Sequence, residues 1–444
     1  MGKIMDLVLK ILYCITSMGI IYYAVRLNYH LKKNFTWIRN YKKSENLKPQ
    51  IYPEFVILLS VYNERGNIER ALQNLSKLNY IGKKEIYIIT TEKEIYYHNN
   101  IKEGTTIDEV ERLLKTKKYN FHHIHYPGKE GNKASQLNFA MDQLKVTYKN
   151  NQENIYVAVY DIDSIPPQNI LFNVVNMIEF YKKNCGTDPI VLQQPSSFCQ
   201  KIESQSLYTI LEAICQTRWS VGYEITEEKE SIVKIKHRVS YAYCVGHGMF
   251  IKAEFLWSNG GFTEPSEDVQ MGFRLNLLGI PIYPIPYLDT ATVPEKFKNI
   301  IIQSGRWFVN IFLLQKEYRY IKKVKNIDKL RKNLIFLKSY VDIFSWIVHL
   351  SHFIITIALA IFYQCPILIV VSFLLYYLDY GVGVFLTFTE GKDSILELNS
   401  LSKFKLICLI TISPIRGIIR GIAPFVAIFN FFTGNDYRYR NKGK

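Results

Sequence analysis

The run Tyr156-Val-Ala-Val-Tyr-Asp-Ile-Asp163 decides how the middle of the chain is read. Residues 156–160 are apolar or aromatic and suit a buried strand, and two carboxylates follow them at once. Working outward, Phe55 to Val61 is another compact strand-like run, after which Tyr62-Asn-Glu-Arg-Gly-Asn67 opens a helical pattern through Leu72 and Leu75. Glu85 to Thr90 and His122 to His125 read as further strands. Strands alternating with helical segments imply an α/β layered sheet, whose ligands sit at the carboxyl ends of strands. Polar clusters follow strands in this way at 62–64, 90–92 and 161–163.

On either side of this domain, expected over 51–300, the composition changes. Leu7 to Val25 has Lys10 as its one charge and is about long enough to cross a bilayer. No small-residue cleavage site follows it, so a spanning helix over 1–30 is favoured over a signal peptide. Arg26, Lys32, Lys33, Arg39, Lys42 and Lys43 come next, and 31–50 reads as a basic linker held on the cytoplasmic side. Trp346 to Phe362 and Ile367 to Phe388, joined by Tyr-Gln-Cys-Pro at 363–366, predict a membrane hairpin over 346–388 and a cytoplasmic loop over 389–403. Phe404 to Phe432 is interrupted by Pro414, Arg416, Arg420 and Pro424. Since an arginine at the bilayer centre costs about 2.5–3.5 kcal/mol on insertion scales, a broken or re-entrant segment over 404–432 is expected rather than a simple span. The tail, 433–444, is basic. Between domain and hairpin, 301–345 is read as interfacial: Trp307, Ile311, Leu314, Tyr318 and Ile321 recur at helical spacing with lysines and arginines elsewhere around the helix. An ordinary surface helix is the competing reading.

The 444 residues carry 55 Lys+Arg against 39 Asp+Glu, a net charge of +16. That excess suits nucleic acid, anionic lipid or phosphorylated substrates and does not choose among them. The seven cysteines form no C-x-x-C pair and no metal-type spacing, which points to a reducing compartment without disulfides. Asp161-x-Asp163 is the sharpest chemical signal. Paired carboxylates past a buried strand suit a hard cation, Mg²⁺ or Mn²⁺, which prefers oxygen ligands and bridges substrate phosphates. Most D-x-D pairs, however, are turns or solvated loops.

Taken together, the clusters resemble the family-2 glycosyltransferases of GT-A fold, particularly membrane-bound processive polysaccharide synthases, over about 54–310. Val61-Tyr62-Asn63-Glu64 is similar to the family's opening nucleotide-binding loop. Asn132-Lys133-Ala-Ser-Gln-Leu-Asn138 is similar to its G-K-A-G-A-L-N stretch, and Asp161 and Asp163 to its metal-binding D-x-D. Ser266-Glu267-Asp268 matches T-E-D, whose aspartate is the general base, with Gly260-Gly-Phe262 preceding it. Gln303-Ser-Gly-Arg306-Trp307 matches Q-x-x-R-W, which contacts donor pyrophosphate and acceptor sugar near the membrane.

The resemblance implies an inverting, metal-dependent hexosyltransferase, multi-pass in the cell membrane with a cytoplasmic catalytic domain. Its expected partners are a nucleotide diphosphate sugar (a UDP-sugar first), membrane lipids and a growing polysaccharide, with a lipid-linked acceptor as the alternative and no nucleic acid. A catalytically inactive nucleotide-sugar-binding protein and a small transporter are the readings from other classes.

Two departures mark a divergent subgroup. The aspartate that ends the family's second strand is absent from Ile88-Ile-Thr-Thr-Glu-Lys93, so Thr91 or Glu92 must stand in at the base of the nucleotide. Asn132 and Ser135 replace glycines, which would restrict the backbone there.

The remaining candidates are weighed on their own chemistry. Asp268 is preferred to Glu267 as the base that takes a hydroxyl proton, and Glu267 is also a candidate acceptor contact. Arg306 suits phosphate oxygens bidentately and Lys133 adds a point charge. Trp307 is a platform for a sugar ring, donor or acceptor, unless it and Arg306 are an interface anchor. His247, between Gly246 and Gly248, is either an acceptor contact or a core histidine. Gln193-Gln-Pro195 and Gln216-Thr-Arg-Trp219 are candidates for the acceptor cleft, and Glu267 with Arg218 is an equally good structural ion pair. His122, His123 and His125 point to both faces of a strand without an acidic partner nearby in sequence, which argues against a metal cluster. Asp379, inside an apolar run, is expected to pair with Arg416 or Arg420.

Overall fold

The computed structural model describes residues 2–43, 49, 51–99, 101–148, 154–233, 242–323 and 329–433. Its centre is a seven-stranded sheet in the order β3-β2-β1-β4-β6-β5-β7. The strands are β1 (Glu54–Ser60), β2 (Lys84–Thr91), β3 (His122–Tyr126), β4 (Ile155–Tyr160), β5 (Val191–Gln193), β6 (Met249–Lys252) and β7 (Ile282–Pro284). Strands β1 to β4 run parallel, β6 is antiparallel to both β4 and β5, and β5 pairs parallel with β7.

The sheet forms here because β1 and β4 are apolar on both faces. Phe55, Ile57 and Leu59 join Tyr156, Ala158 and Tyr160 in one buried core, packed by α2 (Ile68–Ser76) and α6 (Ile170–Cys185). Val56, Leu58, Val157 and Val159 face the other way, onto α5 (Lys133–Thr147) and α10 (Val269–Leu278). The strand period of two makes this split obligatory, and each large apolar side chain so buried contributes about 1.5–3 kcal/mol. Register aligns Leu59 with Ile88 and with Tyr160, so the segments starting at Val61, Glu92 and Asp161 leave the sheet at one edge. The α/β fold class read from the sequence is the one found.

The apolar flanks form a helical layer beside this domain. Four helices are long and apolar enough to cross a membrane: Ile4–Tyr41, Lys329–Phe362, Ile367–Gly391 and Lys403–Asn430. The first belongs to α1 (Gly2–Lys43), a single helix. Residues 31–43, read as a linker, therefore continue it, because Leu31, Phe35 and Ile38 pack against Ile210, Leu211 and Ile214 of the domain. Residues 44–48 and 50 of that linker, and 434–444 of the tail, lie outside the described residues.

The 301–345 region also divides differently. Helix α11 (Phe297–Val309) ends in a 3-10 turn at Asn310–Leu313, α12 (Leu314–Lys322) follows, and α13 starts at Lys329 and runs unbroken to Phe362. The hairpin's second arm is α14 (Ile367–Tyr376), a π-helical turn Tyr377–Gly381, and α15 (Val382–Gly391). Most unlike the expectation, α16 (Lys403–Phe432) is one helix with Pro414 and Pro424 inside it.

Arg416 of this helix is met by the domain. Arg416 donates through Nε and Nη2 to the two carboxylate oxygens of Glu212, both at 3.0 Å, from the domain helix α7 (Leu207–Trp219). Asp379 is held by Arg218 of α7 at 2.5 Å and by His349 at 2.9 Å, not by Arg416 or Arg420. The expected pairing of Asp379 with α16 does not form, because α7 supplies Arg218 to Asp379 and Glu212 to Arg416.

Candidate active site

Helix α5 begins at Asn132, whose side chain accepts from Ser135 N at 3.1 Å while Ser135 Oγ accepts from Asn132 N at 3.3 Å. This reciprocal cap replaces the missing glycines, and Asn132 sits in extended backbone at φ −133°. The left-handed position is Gly131, one residue earlier, at φ +118°. The expected restriction at 132 and 135 is therefore absent.

The cap directs Lys133 into the sheet edge. Its ammonium lies 2.6 Å from Asp161 Oδ1 and 3.1 Å from Glu267 Oε1, and donates to the Gly246 carbonyl at 2.5 Å. Burial opposes its charge, yet Asp161 and Glu267 outweigh burial and hold its pKa above the usual lysine value. Burial pushes Glu267 up to about 7 despite Lys133, with Asp268 adding to the shift. Gly246 is small for a reason. A Cβ there would stand 3.2 Å from Glu267 Oε1 and 3.3 Å from Asp268 Oδ2.

Asp268 is the N-cap of α10. Its Oδ1 accepts from Val269 N at 2.6 Å and from the Ser266 hydroxyl, which fixes the carboxylate. Among the described residues Oδ2 has no hydrogen-bond partner, and the residue is half-buried. An oriented carboxylate with an available oxygen is what a general base requires.

Asp163 Oδ2 accepts from Thr292 N at 3.2 Å and Thr292 Oγ1 at 2.5 Å. Among the described residues no three His, Cys, Asp or Glu form a group able to hold a metal. A cation at Asp161 and Asp163 would have two protein carboxylates and complete its shell with water and phosphate oxygens. That is the usual way Mg²⁺ is bound, and the donor set fits it.

His247 is buried, with Nδ1 2.8 Å from Asp289 Oδ2 and Nε2 3.3 Å from Ser196 Oγ. Burial works against its charge, but Asp289, with Asp161 and Asp163 beyond, pushes the pKa up to about 9. Gln193 pins this loop, donating to the His247 carbonyl and accepting from Val245 N, both at 2.9 Å.

Other candidates are less centrally placed. Asn63 takes φ +54° and Lys93 lies over the Tyr62 ring at 5.5 Å. Glu64 accepts from Asn67 at 3.2 Å. Thr91 caps α3 (Glu92–Tyr97), and Glu92 meets His125 Nε2 at 3.0 Å. His123 and His125 both bond Thr90, at 2.8 and 2.9 Å, so the acidic partner absent from the local sequence is Glu92. Gln303, Arg306 and Trp307 lie on α11, which packs along α16. Gln303 Oε1 is buried without a hydrogen-bond partner, and burial lowers the Arg306 pKa. Arg218 makes no pair with Glu267, since Asp379 takes it.

Two residues escaped the sequence reading. Glu94 is buried and accepts from Asn63 N at 3.2 Å and Thr106 N at 2.7 Å, fixing the 62–64 loop. Glu224 closes a π-helical turn, Ser220–Glu224, between α7 and α8 (Ile225–Val233). It accepts from Tyr243 Oη at 2.9 Å and lies within electrostatic reach of His247 and Asp268. Neither lies in a motif that the sequence singles out.

A family model described as "Glycosyl transferase family group 2" matches residues 195–387. No curated protein matches. Among solved structures, the mannosyltransferase PcManGT from Pyrobaculum calidifontis, in complex with GDP-Man and Mn²⁺, is 13% identical at a TM-score of 0.48, over 95% of this chain and 100% of that one. S. aureus TarS 1-349 in complex with UDP-GlcNAc is 12% identical at 0.37, over 86% and 92%. Glucosyl-3-phosphoglycerate synthase from Mycobacterium tuberculosis, with Mg²⁺ and UDP, is 13% identical at 0.30, over 59% and 75%. All fall below a TM-score of 0.5, so what this chain does has to be argued from its own residues. Over 195–387, which includes Glu224, Asp268 and Arg306, the chain resembles the family-2 glycosyltransferases.

Proposed function

We propose that this chain is a membrane-embedded glycosyltransferase that moves a sugar, with inversion, from a nucleotide diphosphate sugar to a growing polysaccharide at the membrane. The observation that carries the reading is the convergence of Lys133, Asp161, Gly246, Glu267 and Asp268, drawn from separate segments onto one edge of the sheet. Asp268 Oδ2 takes the proton of the acceptor hydroxyl as its oxygen bonds to the anomeric carbon. The bond from that carbon to the diphosphate breaks, and the nucleotide diphosphate leaves with the electron pair. Lys133, tied to Asp161 and Glu267, brings a positive charge beside the departing phosphates. Asp161 and Asp163 are the residues that would hold Mg²⁺ or Mn²⁺, which when bound neutralises charge on the leaving group. Tyr62, Asn63, Glu64, Thr91 and Glu92 border the nucleotide's side of the edge. Gln303, Arg306 and Trp307 stand where the domain meets the apolar helices. His247 supports the loop beneath Gly246.

Four apolar helices and the basic stretch Arg26 to Lys43 favour a multi-pass protein of the cell membrane with its domain in the cytoplasm. The test is nucleotide release by purified protein in detergent, across a panel of nucleotide sugars, with and without added Mg²⁺ or Mn²⁺. The reading expects release from at least one donor and its loss in Asp268→Asn. Absence of release from every donor, or an unaffected Asp268→Asn, overturns it.

A further inference from the structure

Helix α16 carries two arginines one turn apart, and their surroundings differ. Arg416 is neutralised by Glu212. Arg420 has neither a carboxylate nor a hydrogen-bond partner among the described residues. Its guanidinium carbon lies instead 3.9 Å from the ring centre of Trp346 on α13 and 5.2 Å from that of Trp219 on α7. Arg218 and Arg274, both buried, each have a carboxylate, Asp379 at 2.5 Å and Glu317 at 2.6 Å. Contact with indole offsets only part of the cost of withdrawing an ion from water. Arg420 is thus left with less compensation than its neighbours.

The same cluster leads to the proposed base. Trp219 Nε1 donates to Tyr243 Oη at 2.7 Å, and Tyr243 donates to Glu224, which feels the charges of Asp268 and His247. Trp219 also stacks on Tyr223, with ring centres 4.2 Å apart. Trp219, Trp346 and Arg420 are each half-buried. Indole faces suit the apolar faces of sugar rings, and a guanidinium without a carboxylate bound to it suits an oxyanion. The cluster lies among α7, α13 and α16, away from the loops after β1 and β2 assigned to the nucleotide.

We propose that Arg420, Trp219 and Trp346 form an acceptor subsite that holds an anionic oxygen group, phosphate or carboxylate, carried by the acceptor beside its sugar. The inference rests on the transfer reaction proposed above for the word acceptor, while the anion site stands on its own geometry. A phosphate would come from a lipid-linked sugar and a carboxylate from an acidic sugar.

The test uses full-length protein in lipid nanodiscs, titrated with decyl phosphate, with a glucuronate-terminated disaccharide and with neutral decyl glucoside. Tryptophan fluorescence is the readout. One of the anionic probes should bind saturably and more tightly than the neutral one, and which one binds identifies the source. Arg420→Gln should weaken that probe by about tenfold or more, and Arg420→Lys by less, because charge is kept and the planar fork lost. Should Arg420→Gln fail to fold, Arg420→Lys and Trp346→Phe carry the test, each expected to weaken the probe. Binding of neither anionic probe, or equal affinity in the variants with only a lower Tm, overturns the subsite and leaves Arg420 a structural clasp. UDP and GDP binding by the wild type, measured alongside, keeps the two readings apart. Probe binding without nucleotide binding sinks the transfer and keeps the anion site, and the reverse sinks the site alone.

Discussion

Asp268 and Glu267 are adjacent carboxylates with different surroundings, and the difference underlies the separate roles proposed for them. Glu267 is buried against Lys133, while Asp268 is fixed through one oxygen by Val269 N and Ser266 and keeps the other available. Asp268→Asn should lower turnover by about 10²–10⁴-fold and leave donor binding within a few-fold, as general-base loss does. Isothermal titration with nucleotide beside turnover separates the two. A comparable loss in both would make Asp268 a binding residue. His247 yields a pH prediction. Its folded pKa of about 9 stands above an unfolded value of about 6.5, so its pairing with Asp289 stabilises fully below the lower value and is lost as pH rises through the higher. The wild-type Tm should fall between pH 6.5 and 9.5 more steeply than that of His247→Gln. Parallel curves would show that this pair does not titrate there. At this scale the sequence exposes the residues that end strands, such as Asp161. It hides those whose surroundings come from elsewhere, as with Glu224 and Glu94.

At the scale of elements, the strands were legible because a strand buried on both faces is a compact apolar run that ends in polar residues. Helices α7 and α16 were not, because their charges are matched to one another across 204 residues of sequence. Pro414 and the arginines suggested a break, and Glu212 removes the need for one. Burial would raise the Glu212 carboxyl, but Arg416 outweighs it and holds the pKa below the usual range. Glu212→Ala should therefore destabilise by about 3–5 kcal/mol, because it strands a buried guanidinium. The double change Glu212→Leu with Arg416→Met should recover most of that loss, since an apolar pair leaves no charge uncompensated. Thermal unfolding in detergent, followed by size-exclusion recovery, checks both. If the double variant is no better than the single, the ion pair is not the source of the loss.

At the scale of the molecule, the domain and the apolar helices share their interior rather than merely adjoining. Arg26 of α1 reaches Glu227 of α8 at 2.6 Å, and Lys338 of α13 reaches the same carboxylate. Tyr223 donates to Asp342 at 2.7 Å, Arg218 meets Asp379, and Arg39 meets Glu390 at 2.8 Å. Part of the basic stretch that reads in sequence as a cytoplasmic flank and linker is thus consumed in pairs within the protein. The turn bearing Glu224 sits in the midst of these contacts, so the helical layer should support the site as well as anchor it. Ending the chain after Ser402 removes α16, strands Glu212 and uncovers Trp219 without touching Lys133, Asp161 or Asp268. The truncated protein should lose nucleotide-sugar turnover, and amide exchange should rise across 207–233 while β1 and β4 stay protected, because their cores are closed within the domain. Hydrogen exchange by mass spectrometry resolves the two regions. A truncated chain with full turnover and unchanged protection over 207–233 would mean that the domain is autonomous and that α16 serves only as an anchor.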